Sequence, residues 1–131
     1  MHEKSIVLLN KAVADELFAV HQYMYFHFHM DDQGYDLLSS MFRRIAIIEM
    51  THVEMLAERI LFLKGDVEME IAEPIEKIQD VGAILKKAIK MEEDAVMNYN
   101  KWANESAANA DSVTKKLFEQ LVTEEEGHYD Q

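Results

Sequence analysis

The sequence predicts an all-α protein: a four-helix bundle running up-down-down-up, with one long crossover between its second and third helices. Three observations carry this. Apolar residues recur every three or four positions through four segments, the period of a buried helix face. One proline and four glycines in 131 residues leave those segments free of helix breakers. The second half also repeats the first. Glu16 and Glu49 are 33 positions apart, as are Glu92 and Glu125, and a histidine follows the second Glu of each pair by three residues.

The first helix carries its stripe on Leu9, Ala12, Val13, Glu16, Val20, Tyr23, His27 and Met30, and Asp31-Asp32-Gln33-Gly34 reads as a turn. The second stripe is Leu38, Met41, Ile45, Glu49, His52, Leu56, Ile60 and Leu63, ended by Lys64-Gly65-Asp66. Residues 64 to 80 hold the one proline, Pro74, and no sustained periodicity. The third stripe is Val81, Leu85, Ala88, Glu92, Ala95, Tyr99 and Trp102. Asn109-Ala110-Asp111-Ser112 reads as a turn with an N-cap. The fourth stripe is Val113, Leu117, Leu121, Glu125 and His128.

A shift of 76 positions superimposes the halves: Glu16 on Glu92, Leu9 on Leu85, Ala12 on Ala88, Val20 on Val96 and Tyr23 on Tyr99. Each lone Glu lies 18 residues before its turn at Gly34 or Ala110, and each Glu-x-x-His starts 15 after it. At ~1.5 Å rise per residue, both members of a hairpin therefore reach the same level. A pseudo-twofold across the bundle puts the two turns at opposite ends. The link from helix two to helix three must then travel the bundle's length. Residues 64 to 80 suffice, because an extended chain covers ~3.3 Å per residue.

Glu16, Glu49, His52, Glu92, Glu125 and His128 all fall inside apolar stripes. A buried carboxylate is costly unless it is paired or bound to metal. One Glu from each of two helices, with a Glu-x-x-His from each of the other two, is the set that holds a pair of iron or manganese ions in four-helix bundles. Two divalent ions neutralise the four carboxylates. These N and O ligands suit iron, manganese or zinc. Glu and His at i and i+3 share a helix face, so Glu49 and Glu125 are the bridging candidates. Glu16 with His52 completes one metal position, and Glu92 with His128 the other. Tyr23 and Tyr99 stand two turns from Glu16 and Glu92, within reach as hydrogen-bond or electron donors, and Tyr23 is the stronger candidate. His27 reads as a core histidine with its hydrogen bonds satisfied.

Composition narrows the rest. Residues 1–131 are one domain's worth of chain. Without cysteine there are no disulfides, thiolate zinc sites or cysteine-held iron–sulfur clusters. Thirteen basic against 25 acidic residues, a net charge of −12, argues against binding nucleic-acid phosphates and suits attraction of cations. No run approaches the ~18 apolar residues of a membrane span. Nothing at the N-terminus reads as a signal peptide, so the cytoplasm is the expected compartment.

From about Lys11 to Asp130 the chain resembles the ferritin-like superfamily, and within it the bacterioferritins. The resemblance is carried by Asn10-Lys11-Ala12-Val13-Ala14-Asp15-Glu16-Leu17, His21-Gln22-Tyr23, Glu58-Arg59-Ile60-Leu61-Phe62-Leu63 and Glu125-Glu126-Gly127-His128. It implies a ferroxidase centre at Glu16, Glu49, His52, Glu92, Glu125 and His128, with two iron ions per subunit. It further implies oxidation of Fe(II) by O₂ or H₂O₂ and storage of ferric mineral in a homo-oligomeric shell of 24 subunits built from dimers. It also implies haem b across the dimer interface, held by a methionine beside the bridging Glu of helix two. Met50 stands at that place, turned ~100° from Glu49 and so outward. The chain departs from the family at Arg43-Arg44-Ile45-Ala46-Ile47-Ile48, where cavity-facing acidic or His residues are common. It ends at Gln131, three residues past His128. The resemblance thus implies a truncated C-terminus, or an end supported by a neighbouring subunit. Two other functions stay open: a rubrerythrin-like di-iron peroxidase or oxidase, whose usual cysteine-held electron donor is absent, and a non-enzymatic shell subunit that uses metal for folding.

Overall fold

The computed structural model describes residues 2–129, with side chains as far as Gly127. Four helices follow one another: α1 Glu3–Asp32, α2 Asp36–Phe62, α3 Val81–Ala108 and α4 Ser112–Tyr129, with no strand among the described residues. Helices α3 and α4 start where short acidic side chains can satisfy unbonded N–H groups. The Asp80 carboxylate accepts from Ala83 N at 2.9 Å, and the Asp111 carboxylate accepts from Thr114 N at 3.1 Å.

The repeat seen in the sequence is repeated in the backbone. In the α1–α2 turn, Gln33, Gly34 and Tyr35 donate to the carbonyls of His29, Asp31 and Met30; in the α3–α4 turn, Asn109, Ala110 and Asp111 donate to those of Glu105, Ala107 and Ser106. Every one of these donors and acceptors is shifted by the same 76 positions. Both turns need one left-handed residue to reverse the chain. Gly34 supplies it at φ +87°, and Ala110 at φ +59°.

Long-range hydrogen bonds fix the helix directions. Ser5 at the head of α1 and Arg59 at the tail of α2 both reach Asp111 at the head of α4. Tyr23 of α1 donates to Glu92 of α3, and Tyr99 of α3 donates to Glu16 of α1, so α1 and α3 are antiparallel. The order is up-down-down-up, as the sequence predicts. The crossover between α2 and α3 lies along α1, held by two side-chain amides that imitate a strand partner. Asn10 brackets the backbone of Asp66 and Glu68, and Gln22 brackets that of Glu76 through both its amide groups.

The core has two apolar halves. One gathers Leu9, Val13, Leu56, Ile60, Trp102 and Phe118; the other gathers Phe26, Met30, Phe42, Ile45 and Ile84. The halves mirror each other in their aromatic contacts. Tyr23 meets Phe26 edge-on at 6.4 Å and stacks on Phe42 at 5.9 Å. Tyr99 meets Trp102 edge-on at 5.5 Å and lies 5.9 Å from Phe118. Burying each of these large side chains stabilises by roughly 1.5–3 kcal/mol, enough to carry a layer of buried polar groups between the halves.

Two expected stripe positions are corrected. Leu85 is 37% exposed and Ile84 takes the buried place. Val113 is 56% exposed, while Thr114 and Phe118 are buried. Both errors fall within the first five residues of a helix, where the bundle end sets the facing. Thr114 turns inward because its hydroxyl lies between Asp111, to which it donates at 2.6 Å, and Arg59 Nε, from which it accepts at 3.0 Å.

Candidate metal centre

Each hairpin delivers one Glu and one Glu-x-x-His to the level between the two apolar halves. Glu16, Glu49, His52, Glu92 and Glu125 are all buried there. Four of them, Glu16, Glu49, His52 and Glu125, each offer one ligand atom, and these atoms lie within 4.8 Å of one another. The meeting point is the Nδ1 edge of His52. It stands 3.2 Å from Glu49 Oε2, 3.2 Å from Glu125 Oε1 and 3.4 Å from Glu16 Oε2. Glu92 lines one cavity with Glu16, Glu49 and Glu125, its Oε1 accepting from the Tyr23 hydroxyl at 2.5 Å. The backbone of His128 continues α4, and its side chain lies outside the described residues.

The electrostatics are those of a place built for positive charge. Burial alone would pull His52 down, yet contact with Glu125 and Glu16 outweighs it and pushes the imidazole up to about 10. Burial, followed by the charges of Glu16 and Glu125, pushes the Glu49 carboxyl well above the usual carboxylate range. Protons on His52 and Glu49 thus offset the clustered carboxylates. A divalent ion beside Nδ1 would take over that role and displace protons. Two buried atoms point to the same conclusion: Glu16 Oε2 and His52 Nε2 have no hydrogen-bond partner among the described residues. Such orphans are rare in native interiors and call for a ligand or another explanation.

Two tyrosines orient Glu92 and Glu16. Burial and the neighbouring Glu92 hold the Tyr23 phenol above its ordinary range; burial and Glu16 do the same for Tyr99. Both hydroxyls therefore remain protonated and donate, Tyr23 to Glu92 and Tyr99 to Glu16. The two bonds are images of each other under the pseudo-twofold. The sequence favoured Tyr23 over Tyr99; the structure gives them equal parts.

A cavity of about 230 Å³ adjoins the cluster, with Glu16, Glu49, Glu92 and Glu125 on its inner wall. Asp15, Glu73 and Asp94 line its more exposed side. Burial, with the nearby charges of Glu16 and Glu73, pushes Asp15 up to about 6. Glu124 was not singled out from the sequence, and it lies 3.4 Å from His52 Nε2. Its only sequence signal was its place directly before Glu125. His27 is satisfied locally, its Nδ1 lying 2.9 Å from Ser39. Met50 is 49% exposed on the outer face of α2.

Comparison with known proteins agrees with this architecture. A family profile described as a ferritin-like domain matches residues 6–131. The bacterioferritin of Desulfovibrio desulfuricans is 37% identical over 125 residues, 95% of this chain and 70% of that protein. The bacterioferritin of Brucella melitensis is 35% identical, covering 97% of this chain and 79% of that protein. In three dimensions, a crystal structure of the D. desulfuricans protein, described with its diiron site in different catalytic states, superimposes with a TM-score of 0.93 over 95% of this chain and 73% of that one. A Rhodobacter capsulatus bacterioferritin, described with a metal-free dinuclear site and a haem iron, gives a TM-score of 0.92 at 33% identity, over 97% of this chain and 79% of that one.

Proposed function

Because this chain belongs to the ferritin-like family, and within it to the bacterioferritins, we propose that it is an iron-storage subunit that oxidises Fe(II) to Fe(III), with residues 1–131 as one such domain. The observation that carries the proposal is the buried group of Glu16, Glu49, His52 and Glu125, whose ligand atoms lie within 4.8 Å of one another. Glu16 and His52 would hold one metal position, Glu92 and His128 the other, with Glu49 and Glu125 shared between them. The donor set fits: four carboxylates balance two divalent ions, and oxygen with imidazole suits iron, manganese and zinc. Bound as substrate, two Fe(II) ions supply the two electrons that reduce O₂ or H₂O₂.

The chain's own residues account for the rest. Tyr23 and Tyr99 hold Glu92 and Glu16 at one oxygen each. The apolar halves on either side exclude bulk water, so charge in the polar layer is screened little. The acidic side of the cavity favours a cation over an anion as the arriving species. His52 must give up a proton from Nδ1 before that atom can act as a ligand, so metal affinity falls as pH is lowered.

The proposal extends to assembly. Ile47, Met50, Leu61 and Phe62 leave a large exposed apolar surface on α2, between 42% and 72% exposed. Patches of this kind mark association surfaces, and a second copy of this chain is the occupant the family supports. Met50 on that surface is the proposed haem ligand. No helix among the described residues is long and apolar enough to cross a membrane, and the cytoplasm is the proposed compartment.

Aerobic Fe(II) oxidation, followed by the absorbance of the ferric product, tests the reading. Glu49→Ala and Glu125→Ala are expected to fall to the rate of iron in buffer while keeping their helical spectra. Rates equal to the unaltered protein in both variants would remove these residues from the role.

A further inference from the structure

We propose that the two metal positions are inequivalent: Glu124 supports His52 as a ligand, the residue that corresponds to Glu124 in the other half is Ile48, and the Glu16–His52 position therefore binds divalent metal more tightly and fills first. This rests on the di-metal reading above and adds an order of filling to it.

The two ring nitrogens of His52 meet different surroundings. His52 is 0% exposed. Its Nδ1 faces Glu16, Glu49 and Glu125 at 3.2 to 3.4 Å, so Nδ1 is the atom that meets a cation. A neutral imidazole ligating through Nδ1 carries its remaining proton on Nε2. That nitrogen is buried and makes no hydrogen bond among the described residues. The carboxylate that stands over it is Glu124, with Oε2 at 3.4 Å. The Glu124 side chain is 42% exposed, so it has room to close toward the ~2.9 Å of an N–H···O bond. An acceptor on the outer nitrogen fixes the ring's tautomer and orientation and makes the inner nitrogen a better donor; losing such partners weakens metal affinity by ~10–100-fold.

The other half lacks the device. Backbone hydrogen bonds and aromatic pairs of the two halves match under a shift of 76 positions. Under the same shift, Glu124 before Glu125 corresponds to Ile48 before Glu49. An isoleucine side chain accepts no hydrogen bond, and the Ile48 carbonyl already accepts from the Thr51 hydroxyl at 2.6 Å. A histidine in the 128 register position therefore has no carboxylate from the equivalent place. The pseudo-twofold that makes the two positions alike in backbone leaves them unlike in chemistry.

Cobalt(II) added stepwise to chelator-treated full-length protein tests this, read by calorimetry and by the visible band of bound cobalt. The unaltered protein is expected to bind in two steps whose affinities differ by ~10–100-fold. Glu124→Ala should weaken the tighter step toward the weaker one, with the helical circular-dichroism spectrum of the cobalt-free protein retained. Glu124→Asp should restore the difference in part, and Ile48→Glu should tighten the second step. A readout independent of these variants is the His52 Nε2 proton in zinc-loaded protein. By nitrogen-15 NMR it should exchange slowly with water, and faster in Glu124→Ala. Two equal steps in the unaltered protein, or two unequal steps unmoved by Glu124→Ala, would overturn the inference while leaving a di-metal site in place. Failure to bind cobalt at all would overturn both.

Discussion

Replacing Glu49 by Gln keeps the shape of the side chain and removes its charge, which isolates the electrostatics of the polar layer. The ligand atoms around it lie within 4.8 Å of one another. At that separation and an effective dielectric of ~20, one like-charged pair repels by about 3.5 kcal/mol. This is why the folded protein raises the Glu49 carboxyl, through burial first and then through Glu16 and Glu125. A carboxyl whose folded value is raised imposes no penalty below its unfolded pKa of ~4.3, and a growing one as pH rises toward the folded value. Gln carries no such penalty, so metal-free Glu49→Gln should melt at or above the metal-free parent at pH 7. Metal reverses the order. At a hundredfold excess over Kd, binding stabilises the parent by about 2.7 kcal/mol. For a chain of this length that is a rise of roughly 10 °C. A ligand shared by both metals should weaken Kd strongly when lost. A hundredfold weakening at the same zinc concentration leaves only about 0.4 kcal/mol. Thermal melts followed by circular dichroism, with chelator-treated and zinc-loaded samples at pH 7, read all four numbers. An equal zinc shift in parent and variant would refute the bridging assignment. A metal-free variant melting well below the metal-free parent would refute the charge argument.

Asp111→Ala removes the α4 cap and the partner of Arg59, and should cost about 3–5 kcal/mol, the range for breaking a buried pair. Burial would raise Asp111, but hydrogen bonds from Thr114 and Ser5, with Arg59, hold it down at about 2. Its contribution is therefore present above about pH 4 and lost as pH falls toward 2, so urea midpoints of parent and variant should converge over that window. Gly34→Ala puts a Cβ where nothing lies within 4 Å, at φ +87°, so it tests backbone conformation alone. It should cost about 1 kcal/mol in urea unfolding, whereas a cost near zero would mean the turn relaxes. Met50→Leu should abolish the Soret band of protein purified with haem supplied while the dimer persists by native mass. A band that survives would free Met50 of the ligand role.

What the sequence determined by itself is what local geometry controls. Helix existence follows from the apolar period and from the scarcity of Pro and Gly. Because helical rise is constant, the equal spacings from Glu16 to Gly34 and from Glu92 to Ala110 predict that each hairpin brings its carboxylates to one level. The structure indeed buries Glu16, Glu49, His52, Glu92 and Glu125 in one layer. Only the tertiary structure decided how side chains from separate hairpins meet. Tyr99 reaches Glu16 across 83 positions, and Asn10 and Gln22 hold a crossover more than 50 positions away. No periodicity encodes such pairs, because they depend on the relative placement of whole helices. The same limit explains Leu85 and Val113. A stripe drawn from the middle of a helix runs off the core near its start, where contacts from other helices, such as Arg59 on Thr114, choose the buried residue. Glu124 shows it most sharply. In the sequence it is one acidic residue in a run of three. In the fold it faces His52, because α2 and α4 pack antiparallel at that level.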